Sequence, residues 1–224
     1  SELFDRKLKM YKTNAPLTNE SMELGRGRAF TPGWLENESV FTHMEYKYIL
    51  EVLKAGLCDE FFSDMKNVFV PFLDPAVYGR STLENSSFIA SSANPDPSTH
   101  GKGYVARLSG STAEVLSMWT VMMIGRNPFR IADRNLVLEL NPSLPGWLFD
   151  DDGKVSFRFL GKTDITYVNP ARKDTYGENR GVISNIRVTM KNGEVYGYAG
   201  SIIPSPIAEL IRSGEAASIT ASIE

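Results

Sequence analysis

The chain has 224 residues, of which 42% are hydrophobic and 23% charged, and its formal net charge is −3. A chain of this size and composition can bury a core as one large domain or two smaller ones. The slightly negative charge, without a cluster of Lys and Arg, argues against nucleic acid as a partner. No apolar run approaches the roughly 20 residues that cross a bilayer, so no membrane partner is expected. Cys58 is the single cysteine, and neither a disulfide nor a metal site is predicted.

The first half of the chain predicts two long helices after an extended start. Residues 1–35 carry Gly and Pro among polar residues without sustained periodicity, which indicates a long connecting segment. From residue 37 to about residue 57, apolar residues recur at helical spacing, and the buried stripe is predicted to include Met44 and Tyr48. A second, amphipathic helix is predicted to begin with Asp59 as its N-cap.

A loop and a third helix follow. The stretch from 74 to 107 is rich in Ser, Asn, Pro and Gly but contains the apolar island SSFIASSANPDP, which predicts an ordered loop. Ser111 and Glu114 match the capping-box pattern, and the helical spacing after them continues until Gly125. We therefore expect a helix that begins at Ser111.

The pattern changes to an alternation of period two after residue 128, which is typical of strands. Strands are predicted at 136–140, 155–160 and 163–168 and on both sides of the Asn192-Gly193 turn. Gly and Asn tolerate the positive φ of hairpin turns, so the second half predicts a small antiparallel β domain.

A hydroxyl-rich turn at Ser109-Gly110 opens into the third helix. A helix N-terminus presents unpaired amides and a partial positive charge, so phosphate can bind there. The alternative is that Ser111 merely caps a helix, since most helix starts bind nothing. His43 leaves the same two options open: it can donate to phosphate, or it can be satisfied by a neighbour.

Two carboxylates, Glu84 and Asp96, are candidates for carbohydrate chemistry, because a glycosidase needs an acid at the leaving oxygen. Asp96 stands between two prolines, which is typical of a turn. Glu84, beside Asn85, can bind sugar hydroxyls or cap local backbone.

The segments VFTHMEYKYILEVLKAGL, LENSSFIASSANPDP, RLSGSTAE, LELNPSLPGW and RFLGKTDITYVNP occur in an order that resembles the C-terminal third of family 94 glycoside phosphorylases. Within that family the resemblance points to the 1,2-β-oligoglucan phosphorylases. It implies an α+β fold in which residues 1–128 are the C-terminal helices of an (α/α)6 catalytic barrel with an extended N-terminal segment. Residues 129–224 are then the small antiparallel β domain.

Enzymes of this family invert configuration, because inorganic phosphate attacks the anomeric carbon while an aspartic acid protonates the glycosidic oxygen. The resemblance implies a parent hexosyltransferase that cleaves β-glucan oligosaccharides and releases α-glucose 1-phosphate. Phosphate is then a co-substrate, and no cofactor is expected. The general acid is expected upstream of this chain, so no catalytic residue is assigned within it. By itself the chain is expected to be inactive and to require the remainder of its polypeptide.

The resemblance also assigns part of the phosphate site. The family's phosphate-binding histidine matches His43 in VFTH, and its Thr-Gly pair before a helix matches Ser109 and Gly110 in LSGS. Serine in place of threonine keeps the hydroxyl donor. His43, Ser109 and Gly110 are therefore the predicted phosphate-binding residues.

The predicted sugar contacts depart from the family pattern. Ser87 stands where cellobiose phosphorylases have a glutamine, and its side chain is shorter. A β-1,4 linkage is therefore not expected, and Glu84 and Asn85 are predicted to join Ser87 in binding the oligosaccharide.

The competing hypothesis is a noncatalytic carbohydrate-binding or structural module in which His43 and Ser109 serve only the fold. Phosphate binding separates the two hypotheses. The charged start, SELFDRKLKMYK, is unlike a secretory signal, so a cytoplasmic protein is expected. A second copy of the chain, in a homodimer, is among the partners considered.

Overall fold

A computed structural model describes residues 2–105 and 109–224, apart from the side chains of Ser109 and Gly110. The chain divides into two compact units, Ser1–Met118 and Trp119–Glu224, whereas the sequence placed the domain boundary after residue 128. None of the helices within the described ranges has the length and apolarity needed to cross a membrane.

Most helices of the described ranges precede residue 125, and the longer strands follow it. The helices are α1 Thr42–Lys54, α2 Cys58–Val68, α3 Pro75–Tyr78, α4 Ser109–Ile124 and α5 Ile207–Ser213. The strands before α4 are β1 Phe4–Asp5, β2 Met10–Tyr11, β3 Val40–Phe41, β4 Phe88–Ile89 and β5 Gly103–Tyr104. The strands after α4 are β6 Phe129–Ala132, β7 Asn135–Glu139, β8 Lys154–Phe159, β9 Thr163–Val168, β10 Ile183–Met190, β11 Val195–Ala199, β12 Ile202–Pro204 and β13 Ala216–Ile223.

The prediction that residues 1–128 form helices of an (α/α)6 barrel is wrong. Over the described ranges the chain forms five α-helices and thirteen strands in four sheets. Long helices do not form between α2 and residue 105, because the Ser, Asn, Pro and Gly of this stretch favour turns over helix interiors. The stretch instead contains the four-residue helix α3 and two-residue strands. The first unit is therefore a pair of medium-length helices combined with short strands.

The helices α1 and α2 pack against each other in the first unit. The α1 residues Ile49, Leu50 and Leu53 are buried, as their spacing predicts. Met44 and Tyr48 were predicted on the buried stripe, but they are 50% and 44% exposed. The buried face of α1 thus lies about one residue further along the chain than the apolar pattern indicated.

The start of α1 is fixed by a three-stranded sheet. Phe41 of β3 pairs with Phe88 of β4, which pairs with Tyr104 of β5. The Phe88 ring stacks on Tyr104 at 5.4 Å between centroids, and the Trp34 ring meets Phe88 edge-on at 5.1 Å. These contacts form an aromatic cluster of Trp34, Phe41, Phe88 and Tyr104. The cluster holds three distant parts of the chain together where α1 begins.

Asp5 anchors the N-terminal segment to the loop around Ser92. Its buried carboxylate accepts hydrogen bonds from the amides of Lys7 at 3.0 Å, Leu8 at 3.1 Å and Ser92 at 2.7 Å, and from the Ser92 hydroxyl at 2.8 Å. Burial opposes ionisation of this carboxyl, but the hydrogen bonds from Ser92, Leu8 and Lys7 outweigh it and lower the pKa of Asp5. The ionised form is therefore the one that the fold stabilises.

Replacing Asp5 by asparagine is expected to lower the free energy of unfolding of the first unit by about 2–3 kcal/mol, because the NH2 group that replaces one carboxylate oxygen cannot accept a hydrogen bond from the donors around it. Since the folded pKa lies below the unfolded value, the contribution is present above about pH 4 and is lost as the pH falls through the folded pKa. Denaturant unfolding at several pH values measures this loss. Exposed Glu20, changed to glutamine, is the control. If the free energy of unfolding of the Asp5 variant fell at low pH as steeply as that of the wild type, the assignment would be contradicted.

The second unit contains two sheets. The larger has the order β11-β10-β13-β9-β8, and the smaller has the order β12-β7-β6. The hairpin predicted at Asn192-Gly193 joins β10 and β11 and is confirmed, with Gly193 at φ 90°. The strands β9 and β13 pair in parallel, so the expectation of a purely antiparallel domain is wrong. A parallel pair requires a crossover connection, which the chain between residues 168 and 216 supplies.

Candidate functional site

His43 is the second residue of α1, and the start of this helix is held against the segment 84–87. The Thr42 amide donates to the Ser87 carbonyl at 3.3 Å, and the Thr42 hydroxyl donates to the Ser86 carbonyl. The pairing of Phe41 with Phe88 continues this alignment into the sheet. Because His43 directly follows Thr42, the predicted phosphate ligand lies beside the predicted sugar-binding segment.

The imidazole of His43 is half-buried, and its ring packs edge-on against Phe41 at 5.9 Å between centroids. Its Nδ1 atom is buried, and no hydrogen-bond partner for it exists among the described residues. Such an atom costs about 1–3 kcal/mol relative to a paired one, so a ligand that supplies a partner is favoured.

The pKa of His43 is lowered from its ordinary value. Burial is the largest cause and the positive charge of Lys47 adds to it, whereas the negative charge of Glu114 opposes both. The imidazole is therefore neutral at neutral pH. Lys47 is four residues after His43 on α1, so the two side chains share one helix face. Lys47 was not among the predicted phosphate-binding residues, although its spacing from His43 is visible in the sequence.

The negative charge of Glu114, in the second turn of α4, acts on His43. The helix α4 begins at Ser109, two residues before the predicted N-cap Ser111, which is buried inside the helix. The first amides of a helix lack intrahelical partners and carry partial positive charge. Ser109 and Gly110 contribute such amides, while their side chains lie outside the described part of the chain.

The predicted sugar-binding residues have different surroundings. The Glu84 carboxylate is half-exposed and lies 3.5 Å from the Arg80 guanidinium, an exposed ion pair of small energetic weight. The Asn85 side-chain oxygen is 3.5 Å from the Tyr46 hydroxyl. The Ser87 amide donates to the Val105 carbonyl at 2.6 Å and to the Tyr104 carbonyl at 3.0 Å, so the Ser87 backbone is tied to β5 and the residue that follows it. Glu84 and Asn85 retain side-chain donors and acceptors that a sugar can use.

An apolar cavity of about 270 Å³ connects this segment with α4. Asn85 and Leu83 line it from the segment before β4, Thr112 and Val115 line it from α4, and Tyr46 lines it from α1. The structure therefore brings Asn85 to the first turns of α4 and His43 to the neighbourhood of Ser87.

The second histidine, His100, contrasts with His43. Its Nε2 is 2.8 Å from the Asn94 carbonyl oxygen, and its Nδ1 is 2.8 Å from the Lys7 ammonium. Both ring nitrogens thus have protein partners. Asp96 accepts from the Ser98 amide at 2.9 Å, as a turn former does. Across the described ranges, no group of three or more His, Cys, Asp or Glu side chains is arranged to bind a metal ion.

Comparison with known proteins gave no match, either to a family model or to a curated protein. The residues of this site and the resemblance of the sequence motifs are therefore the observations that bear on function.

Proposed function

We propose that this chain holds part of the phosphate site of an inverting glycoside phosphorylase, which converts β-glucan oligosaccharides and inorganic phosphate to α-glucose 1-phosphate and a shortened chain. The observation that carries the proposal is the buried, unpartnered Nδ1 of His43 at the start of α1. The cavity that Tyr46 of α1 lines together with Thr112 in the first turn of α4 supports it, because the free amides of a helix N-terminus favour an anion.

The chemistry requires phosphate to be held in position as the nucleophile. No protein base is then needed to activate a water molecule. A phosphate oxygen forms a bond to the anomeric carbon as the bond to the leaving oxygen breaks, and a carboxylic acid protonates that oxygen. Configuration inverts because attack and departure occur on opposite faces of the sugar. In this proposal His43 and the α4 amides orient the phosphate, while Glu84, Asn85 and Ser87 bind sugar hydroxyls. The general acid is assigned to another part of the parent polypeptide.

Lys47 extends the proposed phosphate site. Its ammonium is close enough to lower the pKa of His43, so it supplies a positive charge next to the imidazole. An ammonium and a neutral imidazole together offer charge and a directed donor, which a phosphate dianion needs. A cytoplasmic location belongs to the same proposal, since a charged sugar phosphate does not cross a membrane unaided.

Phosphate is expected to raise the pKa of His43, because a bound anion stabilises the imidazolium. The two histidines of the chain allow both to be followed by NMR during a pH titration. Without phosphate, His43 should titrate below its ordinary 6.5, since burial lowers its pKa. Replacing His43 by glutamine should weaken phosphate binding about ten- to hundredfold, the loss of one charge-assisted hydrogen bond.

The matched control is His100→Gln, which removes the other histidine and should retain phosphate affinity. Chloride at equal ionic strength controls for screening. A His43 resonance that does not respond to phosphate, or equal responses of both histidines, would favour the noncatalytic carbohydrate-binding or structural module. A carbohydrate-binding module should still bind β-glucan oligosaccharides, whereas a structural module should bind no ligand at this site.

A further inference from the structure

A second cavity lies in the first unit, on the side of α1 that carries Glu45. Its volume is about 500 Å³, within the usual range of small-molecule sites. Tyr11 and Lys12 line it from β2 and the residue that follows, while Met44, Glu45 and Tyr48 line it from α1. Met44 and Tyr48 are half-exposed, so this cavity is accessible from solvent.

The Glu45 carboxyl is a buried polar group of this cavity, since the residue is only 3% exposed. One of its oxygens, Oε1, accepts a hydrogen bond from the Tyr11 amide at 2.8 Å. The other, Oε2, is buried, and no partner for it exists among the described residues. A buried carboxyl with one unpaired oxygen is costly unless a donor reaches it.

Two aromatic rings lie beside this carboxyl. The rings of Tyr11 and Tyr48 are 4.6 Å apart between centroids and inclined by 54°. The largest cause that raises the pKa of Tyr11 is a hydrogen bond that its hydroxyl donates to Tyr48. The electron-rich faces of tyrosine rings attract cations within about 6 Å.

The charges around Glu45 also favour a cation. The carboxylate of Asp64, on α2, acts on both Glu45 and Tyr11, and Glu60 lies close enough to act on Asp64. Among the residues that line the cavity, Lys12 is the cation, but its ammonium is 2.7 Å from the Glu38 carboxylate. The Lys12 charge is therefore already balanced, and the negative potential of the acidic groups remains.

We propose that this cavity binds a primary ammonium ion with a short apolar chain, its nitrogen donating to Glu45 Oε2 and its chain packing on Tyr11 and Tyr48. The inference is independent of the phosphate site. A neutral alcohol of the same size pairs with the carboxyl less favourably, because it leaves the acidic groups and ring faces uncompensated.

Binding of the ammonium is coupled to proton release. Burial raises the pKa of Glu45 to about 8, against the opposing hydrogen bond from Tyr11 and with a further contribution from Asp64. In the empty cavity at neutral pH the carboxyl is therefore protonated. The ammonium binds the carboxylate, so each binding event releases the Glu45 proton to solvent. Affinity should fall about tenfold for each pH unit below the pKa of Glu45.

Calorimetric titration of the full chain with n-butylammonium, in a buffer without phosphate or amines, tests the proposal. We expect saturable binding in the millimolar range or tighter, at least about tenfold stronger near pH 8.5 than near pH 6. n-Butanol is the matched neutral ligand and should not bind saturably. Absence of saturable butylammonium binding by the wild-type chain at the higher pH would overturn the proposal.

Two variants locate the site. Glu45→Gln keeps the size and the acceptor for the Tyr11 amide, so it should remain folded in a thermal melt but lose butylammonium binding and its pH dependence. Tyr48→Leu, at a half-exposed position, should weaken binding about two- to fivefold. Equal affinity of wild type and Glu45→Gln would exclude this cavity. Retained phosphate binding by both variants would show that the two sites are separate.

Discussion

Replacing Phe88 by alanine is expected to lower the free energy of unfolding of the first unit by about 3–5 kcal/mol. Phe88 is 1% exposed and contacts the rings of Trp34, Phe41 and Tyr104. Removing the ring forfeits its own transfer free energy and leaves a cavity among three aromatic neighbours. Because these neighbours come from distant parts of the chain, the gap cannot close by a local shift.

Hydrogen exchange measures the effect, because amide protection in residues 2–105 reports the first unit separately from the second. Leu83→Ala is the control, since Leu83 is 94% exposed and should change stability by less than about 0.5 kcal/mol. Phe88→Leu should recover much of the loss by restoring volume. A Phe88→Ala chain with unchanged protection at β3 and β5 would contradict the role of the aromatic cluster.

The Phe88 variant also bears on the candidate site. Phe88 directly follows the sugar-binding segment, and its pairing with Phe41 sets where α1 begins. Loss of that pairing should release both His43 and Ser87 from their alignment, so phosphate binding should weaken even though neither residue is changed. The proposed site is thus positioned by a long-range strand pair rather than by its own segment.

The sequence predicted well where local pattern decides structure. The helical spacing around residues 37–57 corresponds to α1, and the alternation after residue 128 corresponds to strands such as β8 and β9. The Asn192-Gly193 turn was predictable because it needs a positive φ that these residues tolerate. In each case a single continuous segment carries the whole signal.

Long-range pairing was not predictable from these patterns. Strands β3, β4 and β5 have two residues each, too few for an alternation to be visible. The parallel pairing of β9 with β13 joins residues about 50 positions apart, and nothing local specifies it. The barrel expectation came from the resemblance rather than from periodicity, and the described residues instead include thirteen strands in four sheets.

The candidate site was predicted in part. His43 was found as a residue type able to bind phosphate, but its unpaired Nδ1 and its proximity to Lys47 and Glu114 depend on packing. Glu45 was not found, because a carboxylate inside an apolar helical segment is usually assigned to the exposed face. Its burial follows from the rotation of the α1 face, which only the packing with α2 determines.

Replacing Tyr167 by alanine is expected to destabilise the second unit by about 3–5 kcal/mol. Tyr167 is fully buried on β9, and its hydroxyl donates to the Met123 carbonyl at 2.7 Å. Met123 stands in the last turn of α4, where carbonyls lack intrahelical partners. The side chain therefore provides both core volume and a cap for the end of the helix.

Tyr167→Phe separates these two contributions. It keeps the ring and leaves the Met123 carbonyl without its donor, so we expect about 1–3 kcal/mol of destabilisation. Tyr198→Phe, at a half-buried ring on β11, is the matched control and should cost less than about 0.5 kcal/mol. Protection of amides in residues 119–224 gives the readout. If Tyr167→Phe were as stable as the wild type, the hydrogen bond to α4 would contribute nothing, and the loss in Tyr167→Ala would be due to packing alone.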